Sequence, residues 1–230
     1  MARVWSVLVA VLLGGGSLSP AEACDCFGRP TCATVWDAGV VFVGTARSVS
    51  TVAPGVEDAT FTVDEWLRGE QIGPEVTLRS EGIGFSCDYD FEPGVKYLVM
   101  ASRRKGTWMA FGCGGTRPFP QASSSLDEIH KALRSRGTGT VSGEVFFDAY
   151  PDERVGGDRP IVGASVRLQS TRSSLGTVTN ASGEFRFARV PPGDYELVVG
   201  VPKNATAVLP QRLIVGPDAC LRRYFFSDPR

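Results

Sequence analysis

Apolar and polar positions alternate with the period of β-strands over much of the chain. In the first half, apolar or alternating runs of strand length are separated by turns that contain Gly or Pro. Five such runs occupy residues 40–43, 59–67, 76–78, 95–100 and 108–111. Five strands between an entry helix and an exit helix predict a small closed Greek-key barrel.

Two short helices are predicted to flank this barrel. We expect the first over residues 31–38. The second begins at Ser125, because Glu128 stands three residues later as in a capping box, and it ends before Gly137. Its apolar stripe consists of Leu126, Ile129 and Leu133. His130 lies beside that stripe, so we expect it to face solvent.

From Gly139 onward the pattern is that of strands alone. Apolar residues alternate with polar ones in runs of about six residues bounded by turn signals, which predicts an antiparallel β-sandwich. The alternating positions include Val141, Gly143, Val145, Phe147, Val166, Leu168, Phe185, Phe187, Tyr195, Leu197 and Val199. In the expected last strand, the adjacent Phe225 and Phe226 must face opposite sides. Core packing is the default expectation, with exposure of one of them or an interdomain contact as the alternatives.

The first 23 residues have the pattern of a secretory signal peptide. Arg3 precedes an apolar run over residues 4–13, and Ala21-Glu22-Ala23 forms an A-x-A cleavage site. The run is too short for a transmembrane anchor, which needs about 20 residues. We therefore expect a mature chain that begins at Cys24 with a free amine, with lipidation of Cys24 as the alternative.

The remaining residues suit two domains of about 100 residues each. The joint is expected within residues 118–139, where Pro118-Phe119-Pro120 is followed by three serines and the second helix. The predicted first domain therefore spans residues 24–136 and the second spans residues 137–230. The predicted fold class is mainly β, with a barrel followed by a sandwich.

Composition and charge narrow the function. The chain has 24 basic and 25 acidic side chains, which argues against a nucleic-acid or anionic-membrane partner. His130 is the single histidine, and no nucleophile elbow, zinc-protease motif or phosphate-binding loop is present. We therefore predict no enzymatic activity, no bound metal and no cofactor. The 20 arginines against 4 lysines are typical of a GC-rich genome and favour a bacterial origin.

Six cysteines in an exported chain favour disulfides over metal ligation. Their spacing alone does not choose among the possible pairings. Acidic side chains at Asp88, Asp90 and Glu92 could supply calcium oxygens, and a solvated turn is the simpler interpretation. The polar stretch that carries Asp148, Asp152, Glu153 and Asp158 is predicted to be a loop.

The first half resembles a known family. Cys24-Asp25-Cys26 and the segments 38–46, 86–99 and 112–118 are similar to tissue inhibitors of metalloproteinases and netrin-type OB-fold modules. The resemblance implies an OB-fold barrel and two disulfides, Cys24–Cys87 and Cys26–Cys113. It leaves Cys32 and Cys220, which we expect to clamp the two domains, with free or intermolecular thiols as the alternative.

The same resemblance implies a mechanism. In these inhibitors the α-amine and carbonyl of the first cysteine chelate the catalytic zinc of a protease, and the next side chain enters its specificity pocket. Those roles would fall to Cys24 and Asp25. Because a carboxylate is costly to bury in an apolar pocket, the target protease should have a polar or basic one.

The second half resembles the carboxypeptidase regulatory-like domain, a transthyretin-like sandwich. The resemblance rests on residues 160–168, 176–187 and 190–195. Asn180 stands where the family usually has an aspartate, and either residue can close an Asx turn. Such domains are accessory, which implies adhesion, spacing or folding support.

Together these observations predict an exported, non-enzymatic protein-binding protein, located in the cell envelope or outside the cell. The expected partner is a protein, and the sharper form of the prediction is inhibition of a secreted zinc protease. The alternative is a structural or adhesive component of the envelope or extracellular matrix.

Overall fold

A computed structural model describes residues 29–81, 89–110, 112–148 and 159–228. The predicted signal peptide, Cys24, Asp25, Cys26 and Cys87 lie outside these ranges. So do Asp88, Asp152, Glu153 and Asp158.

The first half contains two helices and six strands. In chain order they are α1 (Thr31–Asp37), β1 (Val40–Ala53), β2 (Val56–Arg68), β3 (Glu75–Glu81), β4 (Lys96–Arg104), β5 (Thr107–Ala110), β6 (Arg117–Pro118) and α2 (Ser123–Arg134). A single 3-10 turn at Gly112–Gly114 lies between β5 and β6.

The first five strands close into a barrel. Their order is β1-β2-β3-β5-β4, and β1 also pairs with β4, from Val40 opposite Ala101 to Thr45 opposite Lys96. All pairs are antiparallel except β3 with β5. This closed five-stranded arrangement is the OB-fold-like Greek-key barrel that the sequence predicts.

The start of β1 is buried on both sides, which explains its uninterrupted apolar run. Val40 and Phe42 point into the barrel, where Phe61 and Leu78 also lie. Because side chains alternate along a strand, Val41 and the residues in step with it point out of the barrel. There they pack in a second apolar cluster, together with residues of α1 and α2.

Strand β1 extends about ten residues beyond the predicted run at 40–43. Its second half pairs with β2 as far as Ala53 opposite Val56, and β3 pairs with β2 up to Glu81. The side chains of residues 50–53 are exposed. An extension exposed on both faces lacks apolar alternation, so the pattern marks only the part of β1 that belongs to the barrel.

Helix α2 corrects two sequence-based predictions. It begins at Ser123 rather than at Ser125, and no side chain caps its N-terminus. Ser125 is buried, and its hydroxyl accepts a hydrogen bond from Arg117 Nη1 at 3.0 Å. His130 is partly exposed, and its Nε2 lies 3.1 Å from Glu65 Oε1 on β2 in a contact at the surface. Helix α2 is therefore fixed to the barrel through its polar face as well as through Ile129.

The second half contains eight strands in two sheets. They are β7 (Gly139–Phe147), β8 (Arg159–Pro160), β9 (Ser165–Gln169), β10 (Ser174–Val178), β11 (Glu184–Val190), β12 (Gly193–Gly200), β13 (Gln211–Val215) and β14 (Cys220–Ser227). One sheet has the order β10-β9-β12-β13, and the other has the order β11-β7-β14 with β8 beside β7. Their alternating buried residues form the predicted sandwich core.

One strand pair of the sandwich is parallel. Strand β14 runs alongside β7 from Cys220 opposite Thr140 to Ser227 opposite Phe147. The first and last strands of the sandwich are thus neighbours, and the intervening chain crosses to the other sheet and back twice. Because this contact is the most distant in sequence, local alternation could not reveal its direction.

The apolar cluster of the sandwich continues into the first half of the chain. Val35 of α1, Leu98 of β4 and Ile129 of α2 belong to the same cluster as Val141 and Leu221. Barrel and sandwich therefore share one buried surface, with the two helices between them.

Candidate functional site

The end of α1 contacts both halves of the molecule through Trp36. This side chain is 8% exposed, and its ring lies directly against Gly216, which follows β13. A Cβ on Gly216 would come within 2.1 Å of the indole ring. Only a glycine leaves space for the ring here, so Trp36 and Gly216 form a close-packed contact between α1 and the sandwich.

Asp37 links the same helix to the last strand. Its carboxylate accepts two hydrogen bonds from the guanidinium of Arg223 on β14, and one of them joins Arg223 Nη1 to Asp37 Oδ2 at 3.2 Å. Arg29 also pairs with Asp37. The Asp37 and Arg223 side chains are only 17% and 15% exposed, so this bidentate pair is shielded from solvent.

Arg68 at the end of β2 completes the contact from the barrel side. Its guanidinium lies 5.2 Å from the centroid of the Trp36 ring, and Nη1 donates a hydrogen bond to the carbonyl of Ala38. Burial lowers the pKa of Arg68 from its ordinary value, and the carboxylates of Asp37 and Asp194 offset part of that effect. Arg68 remains charged, because a guanidinium is not deprotonated in proteins.

A disulfide covalently joins the two halves. Cys32 of α1 is bonded to Cys220 of β14, with 5.4 Å between their Cα atoms. This is the interdomain bridge that the sequence predicts. We call the set formed by Cys32–Cys220, Trp36, Asp37, Arg68, Gly216 and Arg223 the α1 junction.

An open groove of about 1000 Å³ lies beside the α1 junction. Trp36 and Asp37 line one side, and Asp194, Glu196 and Arg212 of the β10-β9-β12-β13 sheet line the other. Glu196 accepts a hydrogen bond from Gln169 Nε2 at 2.9 Å. The groove carries acidic and basic groups in similar number, and both cysteines of the junction are oxidised.

The described residues include part of the predicted disulfide pattern. Cys113 is disulfide-bonded, and its partner lies outside the described residues. The implied Cys24–Cys87 and Cys26–Cys113 pairs remain predictions, as do the zinc-chelating roles of Cys24 and Asp25. In the residues that the structure covers, no cysteine thiol is free.

Two members of the predicted acidic set, Asp90 and Glu92, lie within the described residues, and Asp88 lies outside them. Asp90 and Glu92 are exposed, and the backbone N–H of Glu92 donates to the Tyr97 hydroxyl at 2.9 Å. Within the described ranges, no group of three or more potential metal ligands occurs. In the same ranges, no helix has both the length and the apolar character required to cross a membrane.

Asn180 closes a turn, as the sequence predicts. Its Oδ1 accepts hydrogen bonds from the backbone N–H groups of Ser182 and Glu184, each at 2.9 Å. Residues 154–218 match the carboxypeptidase regulatory-like domain. In this regulatory-like domain, asparagine replaces the usual aspartate without loss of the Asx turn.

The solved structures that resemble this chain are only distantly similar to it. The minor pilin GBS52 of Streptococcus agalactiae has 10% identity and a TM-score of 0.36, over 84% of this chain and 84% of that one. The TIE protein of Bacillus anthracis has 8% identity and a TM-score of 0.35, over 84% of this chain and 35% of that one. The major pilin subunit BcpA of Bacillus cereus has 8% identity and a TM-score of 0.34, over 88% of this chain and 62% of that one. At these sequence identities and TM-scores, the similarity gives no information about the function of this chain. Among curated proteins, no sequence has a significant match to the chain.

The sequence pattern did not reveal the noncovalent part of the α1 junction. Trp36 and Asp37 are adjacent at the end of a short helix, while Arg223 lies 186 residues later than Asp37. Nothing local to either segment indicates that they meet. The one available signal was the cysteine pair, because Cys32 precedes Trp36 by four residues and Cys220 precedes Arg223 by three.

Proposed function

We propose that this protein is an exported, non-enzymatic structural or adhesive component in which barrel and sandwich act as one rigid body. The observation that carries the proposal is the α1 junction. It combines a disulfide, a shielded ion pair and a close-packed aromatic contact within seven residues of α1.

So many links between the two halves are expected only if their relative position matters for function. Two domains joined by a linker alone move independently by default. Here the disulfide Cys32–Cys220 spans most of the described chain, and Asp37 and Arg223 fix the orientation of α1 on β14. A spacer or adhesive module in the envelope needs such stiffness, whereas an isolated binding domain does not.

The same bridge supports the proposed extracellular or cell-surface location. A disulfide between segments this far apart persists in an oxidising environment, which is consistent with export. The regulatory-like domain at 154–218 is of an accessory type, so we infer that the partner is another protein or an envelope polymer rather than a small substrate.

Genetic complementation in the producing organism tests the proposal. Deletion of the gene should weaken the envelope or the surface attachment of cells, and the wild-type gene should restore it. The Cys32→Ser/Cys220→Ser/Trp36→Ala variant, secreted at the wild-type level, should fail to restore it because the α1 junction is broken. The Gly176→Ala variant is the matched control, because this exposed position has open space around it. Full complementation by the junction variant would contradict the proposal.

A second candidate function is inhibition of a zinc protease through the predicted N-terminal Cys24-Asp25. Two observations favour it: the closed OB-fold-like barrel that such inhibitors require, and the disulfide-bonded state of Cys113. A panel of secreted zinc proteases would test it with wild type, with Asp25→Ala and with one alanine added before Cys24. Inhibition that the added alanine abolishes would favour this function over the structural one. Inhibition of no protease would leave the structural proposal alone.

A further inference from the structure

The outer face of the β11-β7-β14 sheet carries exposed aromatic side chains. On β14, Leu221 and Phe225 are buried in the sandwich, while Tyr224 and Phe226 are 48% and 49% exposed. Phe226 stacks on Phe146 of β7 with 6.2 Å between ring centroids. We call Phe146, Tyr224 and Phe226 the aromatic ridge. Phe146 is half-buried, so the exposed part of the ridge is formed by Tyr224 and Phe226. Exposed apolar side chains that lie together on a folded protein are a candidate interaction surface.

A charged depression lies directly beside the aromatic ridge. It has a volume of about 550 Å³, and its charged lining residues are Glu144, Glu184, Arg186 and Arg222. Strand register explains the proximity, since Tyr224 is opposite Glu144, which is itself opposite Glu184. Two acidic and two basic groups leave the depression without net charge.

The depression already holds one contact of the kind that an incoming aromatic side chain would make. The guanidinium of Arg222 lies 5.3 Å from the centroid of the Tyr224 ring while it pairs with Glu144. Arg186 on β11 is exposed, and its guanidinium forms no ion pair within 4.0 Å among the described residues. A second aromatic ring could therefore bind over Arg186 as Tyr224 does over Arg222.

We propose that a second copy of this chain binds to this surface, with the aromatic ridge of each copy in the charged depression of the other. A twofold contact requires a surface that is complementary to itself, and an adjacent ridge and depression meet that requirement. Balanced charge gives no preference for a strongly acidic or basic partner, while arginine and aromatic rings complement each other. This dimer goes beyond the proposed structural function and does not depend on it.

Sedimentation velocity on the oxidised mature chain, from about 1 to 200 µM, tests the proposal. We expect a monomer–dimer equilibrium in the micromolar range, because one sheet face offers a small interface. Tyr224→Ser/Phe226→Ser should weaken association at least tenfold. Val52→Ser is the matched control, because Val52 is 50% exposed but lies on the barrel hairpin, and it should leave association unchanged.

Hydrogen exchange of the wild-type protein provides a second measurement that needs no variant. Amides of residues 142–146 and 222–226 should exchange more slowly at high than at low protein concentration, while those of residues 50–56 should not change. A protein that stays monomeric at every concentration, associates without limit, or forms a dimer that the ridge variant does not weaken would overturn the proposal.

Discussion

At the scale of single residues, Gly216 is a position where the fold is sensitive to one added methyl group. Its Cβ would lie 2.1 Å from the ring of Trp36, which is buried. We expect Gly216→Ala to lower the free energy of unfolding by about 1 to 3 kcal/mol through overpacking. Chemical denaturation measures the change, and Gly176→Ala, which meets nothing within 4 Å, should change stability little.

A second substitution separates this steric effect from any general cost of removing Gly216. In a Trp36→Ala background the ring is absent, so Gly216→Ala should cost less than about 0.5 kcal/mol. An equal loss in the free energy of unfolding in both backgrounds would mean that the contact between Trp36 and Gly216 does not cause the destabilisation.

Tyr89 offers a titration that reports on the barrel interior. Its ring lies 4.9 Å from that of Phe91, and burial, followed by the nearby Tyr97, raises its pKa to about 12. Because the phenol ionises near pH 10 in the unfolded chain, its contribution to stability is complete below pH 10 and is lost as pH rises through 12. Absorbance titration should show a component near pH 12 that Tyr89→Phe removes. The exposed Tyr224→Phe should leave that component in place, and its loss there would refute the assignment.

At the scale of elements, the orientation of α1 on β14 depends on a bidentate pair. Arg223→Lys keeps the charge but cannot make two parallel hydrogen bonds to Asp37, so we expect the free energy of unfolding to fall by about 1 to 2 kcal/mol. Arg47→Lys is the control, because the Arg47 and Glu75 side chains are 63% and 53% exposed and the pair contributes little. In an Asp37→Asn background the effect of Arg223→Lys should shrink, and an undiminished effect would contradict the pairing.

The elements also show how far the sequence pattern can predict this fold. Barrel and sandwich strands were predictable wherever one face is buried, as in Phe185 and Phe187, because alternation records burial directly. The exposed end of β1 was not predictable, since both of its faces meet solvent. The predicted start of α2 was wrong because the Ser125 hydroxyl accepts a hydrogen bond from Arg117 instead of capping the helix. Contacts such as Asp37 with Arg223 require knowledge of the assembled fold.

At the scale of the whole molecule, the shared apolar cluster determines how the protein unfolds. Val35 and Ile129 of the helices belong to the same cluster as Val141 and Leu221 of the sandwich. Unfolding of one half therefore exposes apolar surface of the other half to water. We predict that the oxidised protein unfolds in a single calorimetric transition, with equal calorimetric and van't Hoff enthalpies. The predicted division at residues 136 and 137 would then describe architecture rather than independent stability.

Breaking the α1 junction in steps tests this cooperativity. Cys32→Ser/Cys220→Ser should lower the free energy of unfolding by about 2 to 5 kcal/mol, because the bridge restricts a very long loop of the unfolded chain. One transition should remain, since Trp36 and Arg223 still join the halves. Adding Trp36→Ala should split it into two, with the barrel followed by fluorescence of Trp66 and Trp108 and both halves together by far-UV circular dichroism. Two transitions in the wild-type protein would show instead that the shared cluster does not couple the halves, and that the disulfide alone holds them together.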